Sequence, residues 1–290
     1  MKLVGENMDI IKVDISSDQT KKYFFRLPDS QTSHIEACLL NLSRYGYIIC
    51  VSSQVGCSQK CKFCAASKSE LIRNLTSEEI QEQISLIIAD NTQLRVKKFQ
   101  VTYMGSGEPL SNYKNVFDSI DCIRKRYFNL SKVNISTTCP IVGEKCFIET
   151  DWEKYKNFLH FQYSLHFSND FDRYKYLWPY LLEISVAVSY LNKISCILND
   201  TYKVNYIPFD GLNDNENAAA ALEKVMYTTR NAKLKISKMS EIDGSYLLPS
   251  QSFDKFVSSV KQRIDEVEVF CSDGTDVNAG CGQFYNESIV

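Results

Sequence analysis

Cys57-Ser-Gln-Lys-Cys61-Lys-Phe63-Cys64 places three cysteines in eight residues, with the spacing C-x-x-x-C-x-x-C. The run just before it, Tyr47-Ile-Ile-Cys50-Val51-Ser-Ser53, is apolar and β-branched and predicts a strand. The cysteines therefore fall on a loop at a strand's C-terminal end, where α/β folds build their sites. Three clustered thiolates can hold three irons of a [4Fe–4S] cluster. No fourth cysteine stands in register, which leaves one iron open to a substrate or cofactor. Two plainer readings compete. One is a zinc site, which ordinarily wants four ligands in two pairs, while the chain has no second C-x-x-C. The other is three ordinary buried thiols.

Working outward, Asn74-Leu-Thr76-Ser-Glu-Glu79 carries a capping box, and Leu75, Ile80, Ile84, Ile87 and Ile88 mark one helix face to about Asp90. Lys97 to Met104 alternates as a second strand and ends in Gly105-Ser-Gly107-Glu108-Pro109. A helix with Val116, Ile120 and Ile123 inward follows, then a strand over Val133–Thr138, a helix over Trp152–Phe158 and a strand over Phe161–His166. A helix around Pro179–Tyr190, a strand at Lys203–Pro208, a helix at Asn215–Thr229 and a strand at Leu234–Met239 continue the alternation. An amphipathic helix through Phe253, Phe256, Val257, Val260 and Ile264 leads to a last strand, Val267–Phe270. Counted from Tyr47, six strands alternate with helical segments. That predicts an α/β fold with a parallel sheet of βα units, a partial (βα)6 TIM-like barrel open on one side. Upstream, Ile10 to Val13, Tyr23 to Phe25 and Ile35 to Leu40 read as short strands, with the turn-rich Leu27–Ser33 among them. The expected division is a β extension over 1–46, the barrel over 47–265 and a C-terminal segment over 266–290.

Composition sets limits. The 290 residues are 44% hydrophobic and 23% charged, ordinary for a globular chain. No apolar run approaches the roughly 20 residues of a membrane span, and the N-terminal MKLVGENMDIIKVD has no signal-peptide core. Eleven cysteines, three of them in one loop, then imply a reducing cytoplasm rather than a disulfide framework. The formal charge of −2 does not advertise nucleic-acid binding, which leans on phosphate neutralisation. The candidates for a basic patch are Lys60, Lys62, Lys68 and Arg73 around the loop, with Arg124-Lys-Arg126.

The cysteine spacing with Phe63 before the last ligand resembles the radical SAM superfamily. A narrower resemblance rests on six strings in order: Cys50-Val-Ser-Ser-Gln-Val-Gly-Cys57, Arg73-Asn-Leu-Thr76, Met104-Gly-Ser-Gly-Glu-Pro109, Ile135-Ser-Thr137, Ser164-Leu-His166 and Gly280-Cys-Gly-Gln283. Together they look like the RlmN/Cfr family of radical SAM RNA methyltransferases, from about residue 20 to 285. The resemblance implies a cluster on Cys57, Cys61 and Cys64 whose open iron chelates S-adenosyl-L-methionine, cleaved by one electron to a 5′-deoxyadenosyl radical. It implies that Gly107 and Glu108 meet the cofactor's amino end, and that Ser136, Ser164, Leu165 and His166 meet its ribose and adenine. Cys281 would carry a methyl group, Cys50 would resolve the adduct, and Glu36 would accept a proton. Known members methylate an sp2 carbon of adenosine, so ribosomal or transfer RNA is the expected substrate. A flavodoxin- or ferredoxin-type electron donor and a monomer are also expected. The same chemistry on a small molecule, nucleotide or peptide, or a non-catalytic cluster-bearing RNA-binding module, are the alternatives. By residue type alone Cys50 is a buried strand thiol, Cys281 a loop thiol and Glu36 a strand carboxylate. Cys38, Cys122, Cys139, Cys146, Cys196 and Cys271 read as packing residues. Three departures stand out. The family's extra N-terminal helical domain is not matched by this chain, which starts almost at the core. Its Pro-Trp-Asn strand end is Ser240-Glu241-Ile242 here, and its glycine after the Ser-Thr strand is Cys139.

Overall fold

Ten strands make one continuous sheet in a computed structural model that describes residues 8–28, 34–43 and 45–285. The first three, β1 (Asp9–Ile15), β2 (Lys21–Arg26) and β3 (His34–Leu42), pair antiparallel in turn. Residues 29–33 of the predicted turn lie outside the described residues. β3 runs antiparallel to β4 (Gly46–Val51), and from β4 onward every pairing within this sheet is parallel. The minor strands β5 (Gln54–Val55) and β6 (Arg73–Asn74) pair with each other and brace the cysteine loop between them. The parallel succession after β4 is β7 (Phe99–Tyr103), β8 (Leu130–Thr137), β9 (Leu159–Ser164), β10 (Tyr202–Tyr206), β11 (Ala232–Ser237) and β12 (Val267–Phe270). The six units predicted from Tyr47 are thus present as β4 to β11, and β12 adds a seventh parallel strand to the same sheet.

Helices cross between these strands: α1 (Ser77–Asp90), α2 (Tyr113–Arg126), α3 (Glu144–Glu149), α4 (Asp170–Tyr176), α5 (Ile184–Leu198), α6 (Glu216–Thr228) and α7 (Phe253–Lys261). The capping box at α1 forms as read. The Glu79 N–H donates to Thr76 Oγ1 at 3.2 Å, and the Thr76 N–H donates to Glu79 Oε2 at 2.8 Å. Two helical expectations shift. Trp152 to Tyr155 is one 3₁₀ turn, because Trp152 and Tyr155 both turn inward onto Phe117, at ring distances of 5.7 and 5.3 Å. The helix expected around Pro179 begins only at Ile184. Leu181 and Leu182 are extended against the end of β8, where the Leu182 N–H donates to the Cys139 carbonyl.

Alternation along the strands has an unusual sense here. The outward residues Val133 and Ile135 of β8, Leu159 and Tyr163 of β9, and Leu234 and Ile236 of β11 are fully buried in the main core. The inward residues Asn134, Gln162, Asn205, Lys235 and Ser237 are polar and line an interior cavity. The apolar face of each strand meets helix, and the polar face meets the barrel lumen. No helix among the described residues is long and apolar enough to cross a membrane.

Candidate active site

The lumen opens at the C-terminal ends of the parallel strands as a cavity of about 450 Å³. Cys57, Cys61 and Cys64 stand on its wall, with Gly107, Glu108, Ser136, Ser164, His166, Cys50 and Cys281. The cysteine loop is fixed from below by Phe63, which packs edge-on to His166 at 5.1 Å and against Phe209 at 5.3 Å. Cys61 joins that same second core beside Ile207, Met239 and Leu247. The aromatic residue before the last cysteine is therefore an anchor for the loop. Lys60, an RNA-contact candidate, turns its Nζ onto the Ser67 and Ser69 carbonyls and serves as a further brace.

The three thiols are costly to ionise as they stand. Burial and the neighbouring Cys64 push Cys57 up to about 12, and burial followed by Cys64 and Cys57 raises Cys61 well above the usual thiol range. Burial also raises Cys64. Among the described residues no three His, Cys, Asp or Glu side chains are gathered as a single metal ion would need. A cubane spreads its thiolates over separate irons and asks for a wider triangle. Three thiols on one anchored loop, facing one cavity, fit that group.

The turn after β7 explains its glycines. Gly107 lies at φ 105°, and a Cβ there would meet Ser53 Oγ and Gln54 Cβ, both at 2.7 Å. Gln54 Oε1 accepts from the Ser58 and Glu108 N–H groups, so the turn and the cysteine loop share one clamp. Glu108 is itself fully engaged. Its Oε1 accepts from the Leu110 N–H and Thr137 Oγ1, and its Oε2 accepts from the Thr138 N–H and Thr138 Oγ1, all between 2.6 and 3.0 Å. Any ammonium bound here must displace a threonine hydroxyl. Because four donors converge on one buried carboxylate, Glu108→Ala is expected to lose roughly 3 kcal/mol of stability, measurable by urea unfolding. Unchanged stability would show that these bonds contribute nothing net.

His166 sits at the end of β9 in the left-handed region, φ 53°, and Cys139 does the same after β8 at φ 59°. The latter is where the family resemblance puts a glycine, the residue that region favours. The Cys139 N–H is held by Thr137 Oγ1 at 2.9 Å. The His166 imidazole is buried, and Nδ1 has no hydrogen-bond partner among the described residues. Burial, then Arg173 and Lys235, lower its pKa to about 3. The unfolded histidine titrates near 6.5, so the fold is destabilised as pH falls from there toward 3. Iron-free wild type is expected to lose about 2 kcal/mol more than His166→Asn between pH 6.5 and 5; equal losses would refute the assignment.

Cys281 lies between two glycines. A Cβ on Gly280 would meet Gln283 Oε1 at 2.6 Å and Ser240 Oγ at 2.8 Å. That close approach lets Gln283 Oε1 accept the Gly280 N–H at 2.9 Å while its Nε2 donates to the Glu241 carbonyl. The Ala65 N–H, next after Cys64, donates to the Gly282 carbonyl at 2.7 Å. The Cys281 segment is thus bonded directly to the cysteine loop. Cys281 Sγ donates to Met104 Sδ at 3.7 Å. The structure brings Cys281, Cys50 and the three loop cysteines to one cavity.

Two expected site residues are placed elsewhere. The Leu165 side chain is wholly within the main core and does not line the cavity. Glu36 lines a neighbouring cavity of about 430 Å³, where Lys22 Nζ is 3.0 Å from its Oε2 and the Tyr285 N–H donates to it at 3.0 Å. Lys22 also lies over the ring of Phe284, a residue of the first cavity's wall. The basic candidates do not form one patch. Arg73 is in a bidentate pair with Glu79, and Arg124 and Arg126 end α2, away from the strand ends that carry the site.

Sequence reading did not single out Lys235. It is only 7% exposed, donates to Gln162 Oε1 at 3.2 Å and lies 3.8 Å from the Phe270 ring centre. Burial lowers its pKa, partly opposed by Cys281. Its signal was present in Ala232-Lys-Leu-Lys-Ile-Ser237, a strand whose polar residues recur every second position.

The chain is 30% identical to a dual-specificity RNA methyltransferase RlmN from Campylobacter fetus, over 97% of this chain and 82% of that protein. It is 31% identical to a probable dual-specificity RNA methyltransferase RlmN from Clostridium botulinum, over 96% of this chain and 80% of that one. A crystal structure of a radical SAM methyltransferase from Sphaerobacter thermophilus aligns with a TM-score of 0.83 at 22% identity, covering 97% of this chain and 82% of that one. No family model matches the chain.

Proposed function

This chain belongs to the RlmN family of radical SAM methyltransferases, and from that premise we propose that it methylates an sp2 carbon of adenosine in RNA through a methyl group carried on Cys281. The observation that carries the reading is the convergence of Cys281, Cys50 and three loop cysteines on one cavity. Cys57, Cys61 and Cys64 would hold a [4Fe–4S] cluster, and the backbone around Gly107 with Ser136, Ser164 and His166 would hold S-adenosylmethionine. When bound, the two supply a carbon radical able to take hydrogen from a methyl group, which an adenine ring carbon needs because it is not nucleophilic.

The chain's own residues do the remaining work. Cys281, as a thiolate, would attack the sulfonium's methyl carbon, forming its S–CH3 bond as the sulfonium carbon–sulfur bond breaks and a neutral thioether leaves. Met104 receives the Cys281 thiol and fixes its direction into the cavity. Once the carried carbon is bonded to the base, Cys50 attacks Cys281 Sγ. The sulfur–carbon bond breaks with its electron pair on the carbon, a Cys50–Cys281 disulfide forms, and the carbon takes up the proton that Cys50 gave up as the methylated base leaves. Glu36 would take the ring proton as the resemblance implies, from the neighbouring cavity past Phe284 and released from Lys22 and the Tyr285 N–H; the carboxylates of the first cavity are engaged as well. Glu108 holds four donors, and Glu268 is bonded to Lys203 and Tyr45.

Anaerobic incubation of reconstituted enzyme with methyl-labelled S-adenosylmethionine and total RNA, followed by nucleoside analysis, tests the reading. Label is expected in a C-methylated adenosine. Label confined to protein, with none in RNA, would overturn the RNA assignment.

A further inference from the structure

Cys38 has no part in that scheme, yet it stands directly across β3 and β4 from Cys50. Opposed residues of an antiparallel pair hold their Cβ atoms about 4.5–5.5 Å apart, and Cys50 is the first influence on the Cys38 thiol, raising it. Both face the cavity that Cys281 faces. They also share a small apolar cluster with Ala279, two residues before Cys281, and with Met104, the acceptor of the Cys281 thiol. A solitary buried cysteine is normally a small hydrophobe. A cysteine paired in register with the resolving thiol, on the wall that also carries Cys281, can do more.

We propose that Cys38 is a third thiol of the same cycle and takes Cys50 out of the Cys50–Cys281 disulfide by exchange, an inference that rests on the roles given to Cys50 and Cys281 above. The Cys38 sulfur attacks Cys50 Sγ. The Cys38–Cys50 bond forms as the Cys50–Cys281 bond breaks, and Cys281 leaves as the thiolate and takes up the proton that Cys38 gave up. One disulfide replaces another, so no electron is gained or lost. Cys281 is then free for its next methyl group, and the oxidising equivalent waits inside the sheet. An external dithiol, itself oxidised to a disulfide, restores Cys38 and Cys50 through the cavity.

The setting favours this order of events. In the reduced protein Cys50, then burial, hold Cys38 well above the usual thiol range, so it is quiet. Burial still raises the thiol once Cys50 is in a disulfide, so what favours the attack is the in-register pairing of Cys38 with Cys50 on the cavity wall. The attack is intramolecular, from the residue paired in register across β3 and β4, which gives it a high effective concentration. A disulfide wants Cβ atoms about 3.5–4.5 Å apart, so the cross-strand bond draws the two strands inward. Bonds of that kind are the more easily reduced.

The test uses anaerobic holoenzyme titrated with oxidised glutathione, quenched with N-ethylmaleimide and mapped by non-reducing peptide mass spectrometry. Wild type is expected to show Cys50–Cys281 first, then Cys38–Cys50 with Cys281 labelled by maleimide. In Cys38→Ser the Cys50–Cys281 bond should persist, and Cys281 should label at least tenfold more slowly. Cys38→Ala serves as a second variant, with the cluster's visible absorbance as the check on folding. If Cys50–Cys281 forms but Cys38–Cys50 never follows, and Cys281 labels equally slowly in all three proteins, the exchange is wrong while the two-cysteine reading stands. If Cys50–Cys281 forms in none of them, the roles of Cys50 and Cys281 fail and the exchange fails with them.

Discussion

Cys50→Ala protein is expected to accumulate covalently joined to its substrate. In the proposed sequence the methyl group loads on Cys281 and the carried carbon bonds to the base without help from Cys50. Only release needs its sulfur. Cys50 is 8% exposed on β4 and faces the same cavity as Cys281, and removing its sulfur leaves the cysteine loop and the Gly280–Gln283 turn intact. Cys281→Ala should behave differently. It should give no adduct and no product, yet still cleave S-adenosylmethionine reductively. Nuclease digestion and mass spectrometry of the Cys50→Ala adduct would name the nucleotide attached. Full, equal methylation by both variants would refute the two-cysteine mechanism.

The second large effect concerns Cys61. Cys61→Ala is expected to hold no intact [4Fe–4S] cluster after anaerobic reconstitution, and to lose at least about a thousandfold in methyl transfer, roughly 4 kcal/mol of barrier. The thiol is buried in the second core beside Phe63 and Met239, so the loss is of a ligand, and the alanine leaves only a small void. Iron and sulfide analysis beside the optical spectrum decides it. A variant with wild-type iron content and cofactor cleavage would remove Cys61 from the ligand set.

Much of this was legible in the chain, for identifiable reasons. The parallel strands were readable because their outward residues are apolar, most of them β-branched or aromatic, and the helices between them carry i, i+3, i+4 apolar spacing, as in Ile80, Ile84, Ile87 and Ile88. The capping box at Thr76 and Glu79 is a local device, and it formed as read. What sequence could not give was register. Cys38 and Cys50 are 12 positions apart, and only the β3–β4 pairing makes them partners. Lys235 and Gln162 meet across β11, β10 and β9, with no trace in either neighbourhood. Glu36 was identified by its place in a motif order, but its partners, Lys22 on β2 and Tyr285 near the end of the chain, come from distant segments. Trp152 and Tyr155 failed as a helix because tertiary burial of two rings outweighed local periodicity.

The C-terminal segment is fastened to β2, β3 and the turn between β1 and β2, as well as to the cysteine loop. Asp276 accepts from Ser16 and Ser17, Asp18 accepts the Gly274 N–H, Lys22 donates to the Asn278 carbonyl and the Tyr285 N–H donates to Glu36. These partners are 249 to 260 residues apart in the chain. On the ribosome, each of these earlier residues must wait 249 to 260 residues for its partner. Pairings of such long range form slowly, and a vectorially made chain can fold its earlier parts first. A nascent chain can therefore complete its iron-binding loop well before residue 281 has left the exit tunnel. In the proposed cycle, metal loading and methyl loading would then be separated in time by the order of translation itself, and the cysteine loop would be open to assembly factors until residues 274–285 close over it.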